Sequence, residues 1–144
     1  MADRIKDTID VRAPAARVFE VATDFETYPE WSSSVKEVRI EERDDQGRAT
    51  KVWMRVDARL REVSYTLGYD YSDAPGSFSW DLIEGDLKAL SGSYRFDEFD
   101  DVTEVTYEME VDPGFPIPGF LKKQAERQIA RAALEELKSR VESF

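Results

Sequence analysis

The chain has 144 residues, the usual size of one domain with one sizeable core, so a single domain over 1–144 is expected. Hydrophobic residues make up 41% and charged residues 35%, with no run near the roughly 18 apolar residues of a membrane span, so a folded, soluble protein is expected. A formal net charge of −11, of which residues 116–144 contribute +2 (six Lys/Arg, four Asp/Glu), argues against a nucleic-acid surface, where a basic stripe is needed.

The opening MADRIKDTID lacks the apolar h-region of a secretory signal, and the cytoplasm is the expected location. Residues 4–12 place Ile5, Ile9 and Val11 on one parity and Lys6, Thr8, Asp10 and Arg12 on the other, which predicts a half-buried strand. In APAARVFEVATDF, Pro14 suits a first helical turn, and Val18, Phe19 and Ala22 share one face. Pro29 limits a second helix to a short one near residues 25–31.

The periodicity then changes to two. Strands are predicted at about 35–44, 49–60, 62–72, 77–84, 88–99 and 102–111, broken by DDQG, DAPG, EGD and an Asp100–Asp101 pair. Short connections between consecutive strands predict an antiparallel meander. A Pro/Gly-rich connector, DPGFPIPGF at 112–120, leads into a last segment free of Pro and Gly. There Gln124, Arg127, Gln128, Arg131, Glu135, Lys138 and Glu142 form a polar arc opposite Leu121, Ala125, Ile129, Ala133, Leu137 and Val141, an amphipathic helix of more than twenty residues. The class is therefore α+β.

Strand parity collects one apolar face, from Val52, Met54 and Val56 through Val63, Tyr65, Leu67, Tyr69, Phe78 and Trp80 to Tyr94, Tyr107 and Met109. Lys51, Arg55, Asp57 and Glu62 fall on the opposite, solvated face. Seven strands about 4.8 Å apart make a sheet near 29 Å wide, whereas one helix covers about 10–12 Å. A single helix fills that concavity only if the sheet curls around it and other elements plug the ends. Phe25, Tyr28 and Trp31, in DFETYPEW, are the expected plug at one end. The lining is rich in Tyr and Trp, whose polar tips need a partner when buried, either water or a ligand.

The sequence also resembles the START-related, birch-pollen-allergen-like superfamily, and within it the polyketide cyclase/dehydrase and lipid-transport group. The resemblance rests on VFEVATDFETYPEW (18–31), LGYDYSDAPGSFSWDL (67–82), GSYRF (92–96), TEVTYEMEVD (103–112) and PGFPIPGFLKK (113–123), and it spans essentially the whole chain. It implies a helix-grip fold: a curved seven-stranded antiparallel sheet wrapped around a long C-terminal helix, two short helices between the first two strands, and a hydrophobic cavity inside. Members bind or transfer lipids, sterols and quinones, or cyclise polyketides, so the family implies no single function.

His and Cys are both absent, which removes the usual general base near neutral pH, thiol chemistry and the usual zinc ligands. No metal and no cofactor are expected, and the reading leans away from an enzyme. Asp97, Glu98, Asp100 and Asp101 lack the spacing of a cation loop and read as a solvated hairpin tip. Trp53, on the outer parity, reads as a ring stacked under Arg side chains. Phe115, Ile117 and Phe120 either complete the core where the last helix starts or form a cavity lid that dips into a membrane, where Lys122 and Lys123 would meet anionic head groups.

The ligand-contact candidates are Trp31, Met54, Tyr65, Tyr69, Trp80, Tyr94, Tyr107, Met109, Phe115, Phe120 and Gln124. The four tyrosines of the sheet read alternatively as core residues. Three functions stay open: a carrier or sensor of a hydrophobic small molecule, a cyclase or dehydratase acting by substrate folding and Tyr/Arg polarisation, and a protein-interaction module. The expected partner is an apolar ligand, with at most transient membrane contact and no oligomeric state specified.

Overall fold

Period-two alternation produces seven strands, and the 3.6-residue pattern produces short helices after the first of them and a long one after the last. The computed structural model describes residues 3–143. Its elements are β1 (Asp3–Val11), α1 (Ala15–Ala22), a 3-10 turn (Phe25–Thr27), α2 (Tyr28–Trp31), β2 (Val35–Arg43) and β3 (Ala49–Asp57), then β4 (Glu62–Asp70), β5 (Ser77–Gly85), β6 (Ala89–Phe99), β7 (Val102–Asp112) and α3 (Gly119–Glu142). The sheet is antiparallel throughout, in the order β1-β7-β6-β5-β4-β3-β2, so β2 to β7 form one meander and β1 closes on β7. Residues of one parity meet across each ladder: Val56 faces Val63, Tyr69 faces Trp80, Trp80 faces Gly92 and Tyr94 faces Tyr107. Val52, Met54 and Val56 are buried while Asp57 is exposed, as the alternation requires. This is the helix-grip architecture.

The outer face departs from simple solvation at two threonines. Thr66 and Thr106 lie on the outer parity yet are buried, Thr66 in register between Trp53 and Glu84, Thr106 between Thr8 and Arg95. Thr66 has a long side chain on each side, Trp53 and Glu84, and Thr106 has one, Arg95. Trp53 carries the Arg39 guanidinium 4.7 Å from its ring centre, so the stacking partner comes from β2.

Helix α1 starts at Pro14, whose fixed φ suits the position but whose side chain offers no cap. Glu98, beside the β6–β7 turn, supplies one: its carboxylate accepts the Ala15 N–H at 2.7 Å. The acidic tip therefore caps a helix and, through Asp97, pairs with Arg95 at 3.0 Å. Val18, Val21 and Ala22 of α1 are buried, and the Phe19 ring meets Tyr71, Phe78 and Phe96 edge-on.

The long helix is fixed to one side of the sheet. Arg131 reaches Asp7 at 3.1 Å and the Thr8 carbonyl, Lys138 donates to the Asp10 carbonyl at 2.7 Å, and Glu142 accepts the Arg12 N–H at 2.9 Å. Underneath, Ala130, Leu134, Leu137 and Val141 are buried in the core. These ties draw α3 towards β1 and β7. The concave wall of β3, β4 and β5 is left without a helix over it, and the shortfall between the sheet's width and one helix's diameter becomes an internal space.

Candidate functional site

That space is a cavity of about 190 Å³, measured to the centre of a water-sized sphere. A molecule filling it extends an atomic radius beyond that boundary, so its own volume is larger. The sheet contributes Met54, Val56, Val63, Tyr65, Leu67, Tyr69, Phe78, Trp80, Leu90, Tyr94, Tyr107 and Met109; Phe25 and Tyr28 close one end. Helix α3 contributes Lys122, Ala125, Glu126, Ile129, Ala133 and Glu136. At about 100° per residue these six fall within a 100° arc, and at 1.5 Å per residue the stripe runs about 21 Å along the helix. The mouth is ringed by Leu60 and Arg61 at the β3–β4 tip, Leu87 at the β5–β6 turn, and Pro113, Phe115 and Ile117 of the connector.

Trp80 is the centre of an aromatic wall. Its ring lies 5.6–5.9 Å from those of Tyr69, Phe78, Tyr94 and Tyr107, in tilted arrangements. The indole lies flat against β6 because position 92 is glycine: a Cβ there would sit 2.4 Å from the indole Cζ2. At the plug, Phe25 packs on Tyr69 at 4.5 Å and on Tyr28 at 5.3 Å, and the Tyr28 hydroxyl donates to the Ala22 carbonyl.

The tyrosines divide by what their hydroxyls do. Tyr71 donates to the Ala49 carbonyl at 2.5 Å, and Tyr107 reaches the Met109 sulfur at 3.5 Å. Among the described residues, the hydroxyls of Tyr65, Tyr69 and Tyr94 have no hydrogen-bond partner, and all three side chains line the cavity. Burial pushes the Tyr107 phenol up to about 12 and holds Tyr28, Tyr65, Tyr69 and Tyr94 above the ordinary phenol value, with neighbouring tyrosines adding to the effect on these four. At neutral pH these groups are protonated donors. Such groups can donate a hydrogen bond to a carbonyl and are not placed to act as bases.

One charged pair interrupts the apolar wall. Lys122 Nζ lies 2.8 Å from Glu126 Oε2, one helical turn apart, with side chains 14% and 4% exposed. Lys122 is thus turned inward, and the expectation that it meets head groups is corrected; Lys123 is exposed. Arg61, at the rim, places its guanidinium 4.5 Å from the Phe115 ring centre.

Of the ligand-contact candidates, Met54, Tyr65, Tyr69, Trp80, Tyr94, Tyr107, Met109 and Phe115 are brought together around the cavity. Trp31, Phe120 and Gln124 are not. Trp31 sits behind Tyr28, its ring 4.8 Å away and its indole N–H donated to Thr27 Oγ1 at 3.1 Å. Phe120 is 73% exposed and Gln124 exposed as well, because both lie about 160° around α3 from the lining stripe. Gln128, about 110° around from the stripe, is exposed as well. Sequence reasoning missed Glu126, Lys122 and Arg61. The signal for the first two was their alignment with Ile129 and Ala133 on the same stripe.

Fold and cavity together define a helix-grip protein with an apolar internal chamber. The chain belongs to the polyketide cyclase/dehydrase and lipid transport family, whose profile matches residues 11–138. It is 25% identical over 119 residues, 81% of this chain, to the actinorhodin polyketide synthase bifunctional cyclase/dehydratase of Streptomyces coelicolor, and spans 38% of that protein's length. Among solved structures, a START superfamily protein from Mycobacterium smegmatis superposes with a TM-score of 0.89 at 22% identity, covering 97% of both chains. The ZhuI aromatase/cyclase of Streptomyces sp. R1128 superposes at 0.82 with 19% identity, covering 99% of this chain and 94% of that one. At these identities the two superpositions establish the fold.

Proposed function

We propose that the protein binds a hydrophobic small molecule, lipid-, quinone- or polyketide-like, in the chamber between the sheet and α3. The observation that carries this reading is the aromatic wall centred on Trp80, which encloses open volume instead of closing on itself. Leaving such surface without a partner forfeits about 25 cal/mol for each Å² that a ligand would cover. The unpartnered tyrosine hydroxyls support the same reading, as directional contacts inside an otherwise apolar pocket. The interaction-module alternative is less well supported, because the grip already holds the chain's own helix.

The test is titration with an apolar fluorescent probe while following tryptophan emission. Binding near one-to-one with quenching, much reduced in Trp80→Phe, is expected. Saturating probe that leaves the emission of the folded protein untouched refutes the reading.

A second reading, a cyclase or dehydratase, is favoured by one feature: the buried Lys122–Glu126 pair shares the chamber with protonated tyrosines. Tyrosine donors would polarise a ketone held in a folded chain, and the carboxylate would stand by as base. The similarity to the Streptomyces coelicolor cyclase/dehydratase supports this chemistry. Turnover of a poly-β-ketone mimic that falls in Glu126→Gln while probe binding persists would separate catalysis from binding.

A further inference from the structure

The Lys122–Glu126 pair is costly where it stands. Withdrawing two charges into an apolar wall is favourable only when geometry and hydrogen bonds are good, and apolar replacements of such pairs are often as stable or more so. The position adds to the cost. Lys122 lies in the first turn of α3, where exposed backbone N–H groups favour anions, and that turn contains no acidic residue. The ties that hold α3 to β1 are made elsewhere, from Arg131 onward, more than two turns beyond Lys122 and more than one beyond Glu126. A short ion pair gives an ammonium donor and a carboxylate acceptor side by side, facing the same chamber.

We infer that Lys122 and Glu126 form the polar anchor of the bound molecule, and that the ligand is a neutral amphipath whose hydroxyl or enolised keto oxygen docks on this pair. Its apolar body extends towards Trp80. A hydroxyl satisfies both partners at once, accepting from Lys122 and donating to Glu126, as no hydrocarbon does. A carboxylate at the same spot meets the Glu126 charge, and Lys122 is already neutralised by that charge. The protonated phenols of Tyr65, Tyr69 and Tyr94 offer no cation to hold an anion deeper in. This inference rests on the ligand-binding reading above.

The test compares 1-pyrenebutanol with 1-butylpyrene, two probes that differ by one hydroxyl, on the full chain and on Lys122→Met/Glu126→Leu. The ratio of the two affinities within one protein, divided by the same ratio in the other, cancels the transfer of each probe from water. The ratio favouring the alcohol should fall about tenfold in the variant, the worth of hydrogen bonds to charged groups. 1-Pyrenebutanoate should bind the wild type more weakly than the alcohol. If the double variant does not fold, Lys122→Leu/Glu126→Met, which likewise leaves neither a donor nor a carboxylate acceptor, serves in its place. An unchanged ratio with both probes bound overturns the anchor and leaves the binding reading intact. Tighter binding of the carboxylate than of the alcohol overturns it too. If no probe binds the wild type, the binding reading falls and the anchor with it.

Discussion

The two halves of α3 carry different tasks on one continuous helix. From Ala130 onward, Leu134, Leu137 and Val141 enter the core while Arg131, Lys138 and Glu142 tie the helix to β1. Before that point the inward residues are Lys122, Ala125, Glu126 and Ile129, which face open volume. The C-terminal half holds the fold, and by holding α3 to one side of the sheet it creates the chamber that the N-terminal half walls. Changes on the lining stripe, which begins at Lys122 and ends with Ala133 and Glu136, should act on binding, and changes at Leu134, Leu137 and Val141 on stability.

The largest effect is expected at Leu134, which is fully buried. Leu134→Ala should cost about 3 kcal/mol, within the range for large-to-small core changes, and lower the melting temperature by roughly 10 °C. The folded fraction should keep its affinity for an apolar probe. Equal stability of Leu134→Ala and Ile129→Ala would erase the contrast between the halves.

Alkaline pH acts on the chamber as a whole. The Tyr107 phenol has a folded value near 12 against about 10 when unfolded, so the folded state keeps a proton that the unfolded state loses. Its contribution is complete below pH 10 and declines as pH rises towards 12, by about 1.4 kcal/mol per pH unit. Melting temperature should fall steeply over that window, and phenolate absorbance should rise together with unfolding. Tyrosines that titrate near pH 10 in the folded protein would mean a chamber wet enough to solvate their anions.

Gly92→Ala comes next. The added carbon would lie 2.4 Å from the Trp80 indole, so the ring must leave its place against β6. A cost of about 1–3 kcal/mol is expected, with weaker probe binding. A melting temperature and an affinity equal to wild type would show that Trp80 has room to spare.

The smallest effect on stability is expected at the connector. Pro113, Pro116 and Pro118 have no N–H to lose, and Gly114 sits at φ +78°, a conformation glycine adopts freely. Phe115 and Ile117 line the mouth, and Arg61 stacks on Phe115. Replacing both with Ser should alter probe uptake and release rates more than it alters melting, with residues 114–120 exchanging amide hydrogens well before 102–111. A connector that exchanges as slowly as β7, in a protein that the double Ser change unfolds, belongs to the core and is no lid.

Much of the fold was legible because period-two alternation is a strong signal. The parity of β3 to β7 identified the chamber wall from Met54 to Met109, and Pro14, Pro29 and the last glycine bracketed the helices. The site on α3 was less legible for a geometric reason. Residues taken every fourth position drift about 40° per step, so the row Leu121, Ala125, Ile129, Ala133, Leu137, Val141 enters the chamber wall at Ala125, leaves it after Ala133 and finishes in the core. That drift hid Glu126, whose spacing from Lys122 resembles that of any exposed ion pair on a helix. Phe120 reads from the sequence as part of the connector, but α3 begins at Gly119, and its place on the helix puts Phe120 within the polar arc. Trp31 was assigned with its neighbours Phe25 and Tyr28, but the turn at Pro29 seats Tyr28 between it and the chamber.

The central claim is that the volume beside the lining stripe of α3, from Lys122 to Glu136, is a binding site. Ala133 lies on the lining stripe, partly exposed to the chamber, and Ala133→Trp would fill that volume from the helix side. Native mass spectrometry of both proteins with 1-pyrenebutanol tests it most directly. The account predicts one probe per wild-type chain and none on Ala133→Trp, with both proteins folded. Equal loading of the folded variant would place the probe elsewhere and contradict the account.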